Sequence, residues 1–365
     1  MVLRCGIVGL PNAGKSMIFN ALTSAGADTA AFPFSTVTPN VGSIPVPDAR
    51  LEEIHGFVET NRVLPAELQV VDIAGLPKGA SRGEGMGNKF LGHIKECDAL
   101  LHVGRFFKNG DLGEGYDAID PVGEIEVVEM ELAFADLETV ERNLDRVSKK
   151  AKSGDKESIE QRDLFARLKE CLLEGGQARH LDLTDRERLL MKPLFLLTAK
   201  KVLYVANVTD YRLDEECQRE LSRLEAFAEQ HGSEVVVLAG QFEAELTELS
   251  DEDREVFLSD AGMEEPGLVR LIQKAYHLLG LRTYFTAGEI EIRAWTFHDG
   301  DRAPVAAGVI HTDFEKKFIR AQIYGLDDLR EFKSEAGVKE AGKLRVEGKD
   351  YLMQDGDIVH FLIGN

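Results

Sequence analysis

An α/β fold built on a mostly parallel sheet is predicted by three features of this chain. A G-x-x-x-x-G-K-[ST] octapeptide joins a strand-like run to a helix-like run, short β-rich and helical segments alternate around one long helical stretch, and period-two alternation takes over after residue 280. We read a P-loop nucleoside-triphosphatase domain over 1–121 and 196–280, interrupted by an antiparallel helical hairpin over 122–195 and followed by a mixed β domain over 281–365.

Along the chain, "CGIVGL", "GSIPV", "LQVVDIAG" and "ALLHVGRFF" are the first strand candidates, and "KSMIFNALTSAG" is the clearest helix. From Ile125 to Val147 the pattern changes. Met130, Phe134, Leu137, Val140, Leu144 and Val147 recur every three or four positions, which places them on one helix stripe. "KKAKSGDK" turns the chain, Leu164, Leu168 and Leu172 mark a returning helix, and Thr184-Asp185-Arg186-Glu187 offers a capping box for another. Strands resume with "KVLYVAN" and "SEVVVLAG", so the helical hairpin splits one sheet domain. After "LGLRTYFTAGEIEIRAWTF", the runs "RAQIYGL", "KLRVEG", "YLMQDG" and "DIVHFLIGN" alternate with Gly-containing turns.

The octapeptide is Gly9-Leu10-Pro11-Asn12-Ala13-Gly14-Lys15-Ser16, with a strand before it and a helix after it. Its glycines let successive backbone N–H groups point at phosphate oxygens, and the helix that follows adds the positive end of its dipole. Lys15 is the candidate catalytic cation on the outer phosphates, and the Ser16 hydroxyl is a candidate Mg²⁺ ligand. Asp72-Ile73-Ala74-Gly75 follows the apolar "LQVV", as a metal-orienting carboxylate and a movable glycine would. Between them, in "AFPFSTVTPN", Thr36 is the best candidate for a second hydroxyl on Mg²⁺, with Ser35 and Thr38 competing. The glycine-rich 79–90 reads as a switch segment.

The net charge of −21 opposes loose adhesion to nucleic acid, although 281–365 carries 15 acidic and 12 basic side chains and is nearly balanced. Residues 243–265 hold ten carboxylates against Arg254 and read as a solvated helix surface. Four scattered cysteines suggest neither a disulfide framework nor a zinc site. With no long apolar span and no leader-like N-terminus, a cytoplasmic protein with no membrane partner is expected. It is expected to be a monomer, since the hairpin can pair with itself.

"GLPNAGKS", "FPFSTVTPNVG", "VVDIAGL", "GEGMGNKFLGHI" and the later "YFTAGEIEIRAWTF", "AAGVIHTDFEKKFIRAQI" and "EAGKLRVEGKDYLMQDGDIVHF" together resemble the Obg-like ATPases of the YchF group, over nearly the entire chain. The resemblance implies a coiled-coil arm for the hairpin, a TGS-like β-grasp module for the C-terminal part, and binding to the ribosome or its RNA. Lys316, Lys317 and Arg320 are candidate contacts on that partner.

Base selection turns on "ANVTD", where a guanine-reading Asn-Lys-x-Asp loop would have Lys in place of Val208. Asn207 and Asp210 keep that loop's spacing, so the residues alone leave guanine open; adenine would set its N1 lone pair against the carboxylate. The resemblance implies ATP over GTP, with the base held by Asn207 and the main chain of Val208, while Asn12, Ala13, Gly14, Lys15, Ser16 and Met17 line the phosphate side. Leu76 stands where signalling GTPases orient water with Gln, which leaves another side chain such as Glu114 or His93, the γ-phosphate itself or a partner to do so. Asn12 is a candidate K⁺ ligand beside the phosphates, with loop shaping as its alternative role.

Overall fold

A computed structural model describes residues 3–24, 39–73, 75, 86–108 and 118–364. Chain order is β1 (Arg4–Val8), α1 (Lys15–Ser24), β2 (Asn40–Pro45), α2 (Ala49–His55), β3 (Val63–Leu64), β4 (Glu67–Asp72), α3 (Met86–Lys95) and β5 (Ala99–Arg105). The insertion contributes α4 (Pro121–Ala151), α5 (Lys156–Leu173) and α6 (Asp185–Met191). Then come β6 (Lys201–Asn207), α7 (Glu215–Gln230), β7 (Glu234–Leu238), α8 (Gly240–Leu246), α9 (Asp251–Asp260) and α10 (Gly267–Leu278). The C-terminal part is β8 (Leu281–Thr286), β9 (Ile292–His298), α11 (Ala303–Ile310), α12 (Thr312–Lys316), β10 (Phe318–Tyr324), α13 (Leu326–Phe332), α14 (Glu335–Glu340), β11 (Arg345–Glu347) and β12 (Ile358–Ile363).

The first sheet runs β2-β4-β1-β5-β6-β7 and is parallel through every pair from β4 to β7. β5 is buried along its whole length and β6 along all but Lys201, as strands covered on both faces must be. Because these strands are parallel, the carboxyl ends of β1, β4, β6 and β7 all open on one edge of the sheet, the edge where open α/β sheets place ligands.

The insertion is a pair of helices joined by a four-residue turn, as expected. Leu164, Leu168 and Leu172 are buried together with Val140 and Val147. The seam differs from the expected stripe at two positions. Met130 is 53% exposed and Phe134 40%, while Ile125, Val128, Leu132 and Ala133 take the buried side. The root of α4 lies on the sheet core and its outer half on α5, so the apolar side of this helix rotates part-way along. The capping box at Thr184 is present, with Glu187 N–H on the Thr184 hydroxyl at 3.3 Å and Thr184 N–H on the Glu187 carboxylate at 2.8 Å.

The second sheet runs β11-β10-β12-β8-β9-β3. β8 and β9 are antiparallel, β12 returns parallel to β8, and β10 pairs antiparallel with β12 and β11. "YLMQDG" supplies only an isolated bridge, Arg302 to Leu352.

By packing, the described residues divide into two compact units, one within 3–42 and 69–271 and the other within 43–68 and 272–364. Segment 43–68, expected within the nucleotide domain, thus groups with the C-terminal residues. The cause is specific bonding. β3 pairs in parallel with β9, Ile292 N–H reaches the Arg62 carbonyl at 2.9 Å, Arg50 meets Asp355 at 2.9 Å, and Arg330 grips Glu53 through two bonds of 2.5 and 2.7 Å.

Candidate functional site: the P-loop and the loop after β6

β1 ends at Val8 and the chain turns at once through residues that few side chains tolerate. Gly9 has φ +152°, and an added Cβ would lie 2.6 Å from the Val103 carbonyl. Gly14 has φ +90°, and its Cβ would lie 2.0 Å from Asn207 Nδ2. Asn12, at φ +63°, occupies the left-handed region that Asn accepts better than most residues. This is the observation that favours a loop-shaping role for Asn12.

Lys15 is the first residue of α1 and is only 6% exposed. Its ammonium donates to the Leu10 carbonyl at 2.7 Å, across the loop. Burial pushes its pKa down to about 8, against the pull of Asp72. The next residue, Ser16, donates its hydroxyl to Asp72 Oδ2 at 3.0 Å. A hydroxyl and a carboxylate are hard oxygen donors, and their meeting at the end of β4 fits Mg²⁺. Gly75 lies against the loop, since a Cβ there would be 2.9 Å from Pro11 and 3.1 Å from Lys15 Nζ. Met17 is 42% exposed beside them.

From the far side of the loop comes Asn207, the last residue of β6 and 2% exposed. Its Nδ2 donates to the Ala13 carbonyl at 2.9 Å, and its Oδ1 accepts from Gly240 N–H at 3.4 Å. Val208 is buried and gives its N–H to the Leu238 carbonyl at 2.9 Å, so of its main chain only the carbonyl can turn to a base. Asp210 is exposed, and its Oδ1 accepts from Arg212 N–H at 2.8 Å, a local turn that draws the carboxylate back onto its own backbone.

Of the residues expected to bind, Asn12, Ala13, Gly14, Lys15, Ser16, Asn207 and Val208 are thus in one place, with Met17 at its rim. Thr36, Ser35, Thr38, Leu76, Glu114 and the switch residues 79–85 lie outside the described residues. His93 sits half-buried on α3. Gly240 escaped the sequence reading. It lies two residues past the "VVVL" strand, at the same sheet edge as Asn207, and the Asn-Lys-x-Asp comparison that singled out Asn207 does not extend to it.

Beneath the site is a buried polar cluster that periodicity did not reveal. Glu129 of α4 accepts from the Tyr204 hydroxyl at 2.8 Å and from Arg179 at 2.5 Å. Burial would raise the Glu129 carboxyl, but Arg179, His102 and Tyr204 hold it below the ordinary carboxylate range. His102, which pairs in β5 opposite Val8, is 2% exposed and has its pKa pushed down to about 4 by burial.

Comparison with known proteins decides the family. A ribosome-associated GTPase model, described as "50S ribosome-binding GTPase", matches residues 4–143, and a YchF-GTPase C-terminal model, described as a protein of unknown function, matches 281–364. The chain is 46% identical over 362 residues to the ribosome-binding ATPase YchF of Bacillus subtilis, covering 99% of each chain. The chain belongs to the YchF family. The Escherichia coli O157:H7 member, also named a ribosome-binding ATPase, is 48% identical over 365 residues, again covering 99% of each chain. Among solved structures, the Schizosaccharomyces pombe YchF GTPase superposes with a TM-score of 0.85 at 34% identity, covering 99% of this chain and 97% of that one. The P-loop α/β fold with its helical insertion is therefore a YchF fold. Within the family the names divide between ATPase and GTPase, and the choice of base returns to the residues around Asn207.

Proposed function

We propose that this chain is an Mg²⁺-dependent ATPase whose bound nucleotide acts as a switch for binding to the ribosome. The observation that carries ATP over GTP is the position of Asp210. Its Oδ1 accepts the Arg212 N–H, which turns one of the two oxygens that guanine's N1–H and amino group would need toward its own backbone, and Val208 supplies no lysine stem to cover the ring. The relatives named ATPases support the same choice. Asn207, held between Ala13 and Gly240, would read the adenine edge together with the Val208 carbonyl. Titration with ATP and with GTP, each with Mg²⁺, tests this directly, and tighter binding of GTP overturns it.

Gly14, Lys15 and the neighbouring amides would hold the phosphates, and Ser16 with Thr36 would hold Mg²⁺, which on binding neutralises charge developing on the phosphate oxygens. Lys15 is the catalytic cation in this reading. A K⁺ role for Asn12 predicts faster turnover in KCl than in NaCl; equal rates dismiss it. We assign residues 1–121 and 196–280 to the nucleotide domain, apart from 43–68, which packs with the C-terminal residues, 122–195 to a coiled-coil arm and 281–365 to a TGS-like β-grasp module of Obg-like type. The succession of β8 and β9, α11 and α12, β10, α13 and α14, β11 and β12, with β12 parallel to β8, supports that last assignment.

For the ribosomal contact, Lys316 at the end of α12, Lys317 just after it and Arg320 on β10 are all exposed. Changing all three to Glu should weaken co-sedimentation with ribosomes. We take the protein to be a cytoplasmic monomer; among the described residues, no helix is long and apolar enough to cross a membrane. The acidic run 243–265 is not a uniform solvated face, because Glu243 is fully buried.

A further inference from the structure

We propose that Tyr211 and Glu243 are a positioning pair for base recognition, a role that rests on the Asn207 loop being the base site. Glu243 lies on α8, one turn after Gly240, the residue that donates to Asn207. Its carboxylate is 0% exposed, and a carboxylate so placed is stable only when its oxygens are satisfied. Oε1 accepts the Tyr211 hydroxyl and the Gly267 N–H at 2.7 Å, and Oε2 accepts the Leu268 N–H at 3.2 Å. The two amides are the first of α10, whose dipole favours an anion there. Arg270, a turn further along α10, places a positive charge near the Tyr211 phenol.

The fit is specific. A Cβ at Gly267 would lie 2.2 Å from the Tyr211 oxygen and 2.8 Å from Glu243 Oε1, so this glycine makes room for the bond. The Phe242 ring meets Tyr211 edge-on, with centroids 5.6 Å apart. Between Asn207 and Tyr211 lie only Val208, Thr209 and Asp210. That short loop is pinned at its start by Val208 N–H on Leu238, near its end by Asp210 on Arg212, and at Tyr211 by a buried anion. Glu243 also anchors α8, which holds the other side of Asn207. One carboxylate therefore fixes both walls around the Asn207 amide and the Val208 carbonyl before any nucleotide arrives, and that lowers the ordering cost of binding the base. None of its bonds reaches the phosphate-binding loop directly.

The pair should therefore act on the base and not on the phosphates. Parent, Tyr211→Phe and Glu243→Gln proteins are titrated with ATP, GTP and inorganic tripolyphosphate, each with Mg²⁺. The expected result is a loss of about tenfold in ATP affinity for Tyr211→Phe, a larger loss for Glu243→Gln, and unchanged tripolyphosphate binding in both. Equal losses for ATP and tripolyphosphate would reduce the pair to general structural support and overturn the proposal, as would a Tyr211→Phe protein that binds ATP like the parent. If Glu243→Gln does not fold, Tyr211→Phe decides alone, because it keeps the ring and removes one hydroxyl. A parent that binds tripolyphosphate as tightly as ATP removes the base-site reading itself, and the pair with it.

Discussion

Asn207 Nδ2 donates to the carbonyl of Ala13 at 2.9 Å, across 194 positions of sequence, and so ties the end of β6 to the glycine-bearing loop between β1 and α1. Gly14 permits the contact, because any side chain there would collide with the same nitrogen. Asn207→Ala should weaken ATP binding by about tenfold or more, through the lost base contact and the buried Ala13 carbonyl left unpaired. Gly14→Ala should abolish measurable binding, since it meets both a collision and a positive φ. Calorimetric titration of the two variants checks both statements, and an Asn207→Ala protein with parental affinity would show that the base is held elsewhere.

If Lys15 meets the phosphates as proposed, nucleotide binding should be pH-dependent. Burial has lowered its pKa to about 8, whereas a triphosphate beside it favours the charged form and raises that pKa. The bound state then holds more proton than the free state as pH passes through 8. Affinity should be full below about pH 8 and fall above it, with net proton uptake on binding setting in as pH rises through about 8. Titrations in buffers of different ionisation enthalpy measure that uptake directly. A pH-independent affinity up to pH 9 would mean that Lys15 does not meet the phosphates.

Glu129 and Arg179 form a buried ion pair, with side chains 8% and 9% exposed, between the first half of α4 and the segment that follows α5. Glu129→Ala leaves the Arg179 guanidinium and the Tyr204 hydroxyl without their shared acceptor, and should cost roughly 3–5 kcal/mol of stability. Replacing Arg179 by Met in the same protein should recover part of that loss, because the uncompensated charge is then gone. Denaturant unfolding of the single and double variants gives the comparison, and strict additivity would deny the coupling.

His102 should make the protein acid-sensitive. Its folded pKa of about 4 lies below the ordinary 6.5, so the folded state binds less proton than the unfolded chain between those values, and stability falls as pH drops through that window. The contribution of this residue approaches about 1.4 kcal/mol per pH unit. His180, also pushed down to about 4 by partial burial and by Arg179 and His231, adds in the same direction. Unfolding curves from pH 7 to 4.5 should be shallower in pH for His102→Asn than for the parent; identical slopes would place the acid sensitivity elsewhere.

Much of this molecule was legible in its sequence because the signals are local. Gly9, Gly14, Lys15 and Ser16 are contiguous, and a strand before and a helix after them leave one geometry for the loop. The strand end at Asp72, the leucines of α5 and the Thr184 capping box were read for the same reason, since each depends on residues within a few positions of one another. The stripe of α4 was misread at Met130 and Phe134 because the helix changes partner along its length, and spacing alone reports a period without saying what packs against it.

What the tertiary structure alone decided are the long-range pairings. Segment 43–68 joins the C-terminal residues because β3 finds β9. Asn207 meets Ala13 because parallel strands bring their carboxyl ends to one edge. Glu243, counted in the sequence as one carboxylate in an acidic run, is buried because the first amides of α10 and the Tyr211 hydroxyl surround it. A side chain's neighbours across the chain set its desolvation and its hydrogen bonds, and no local pattern contains them.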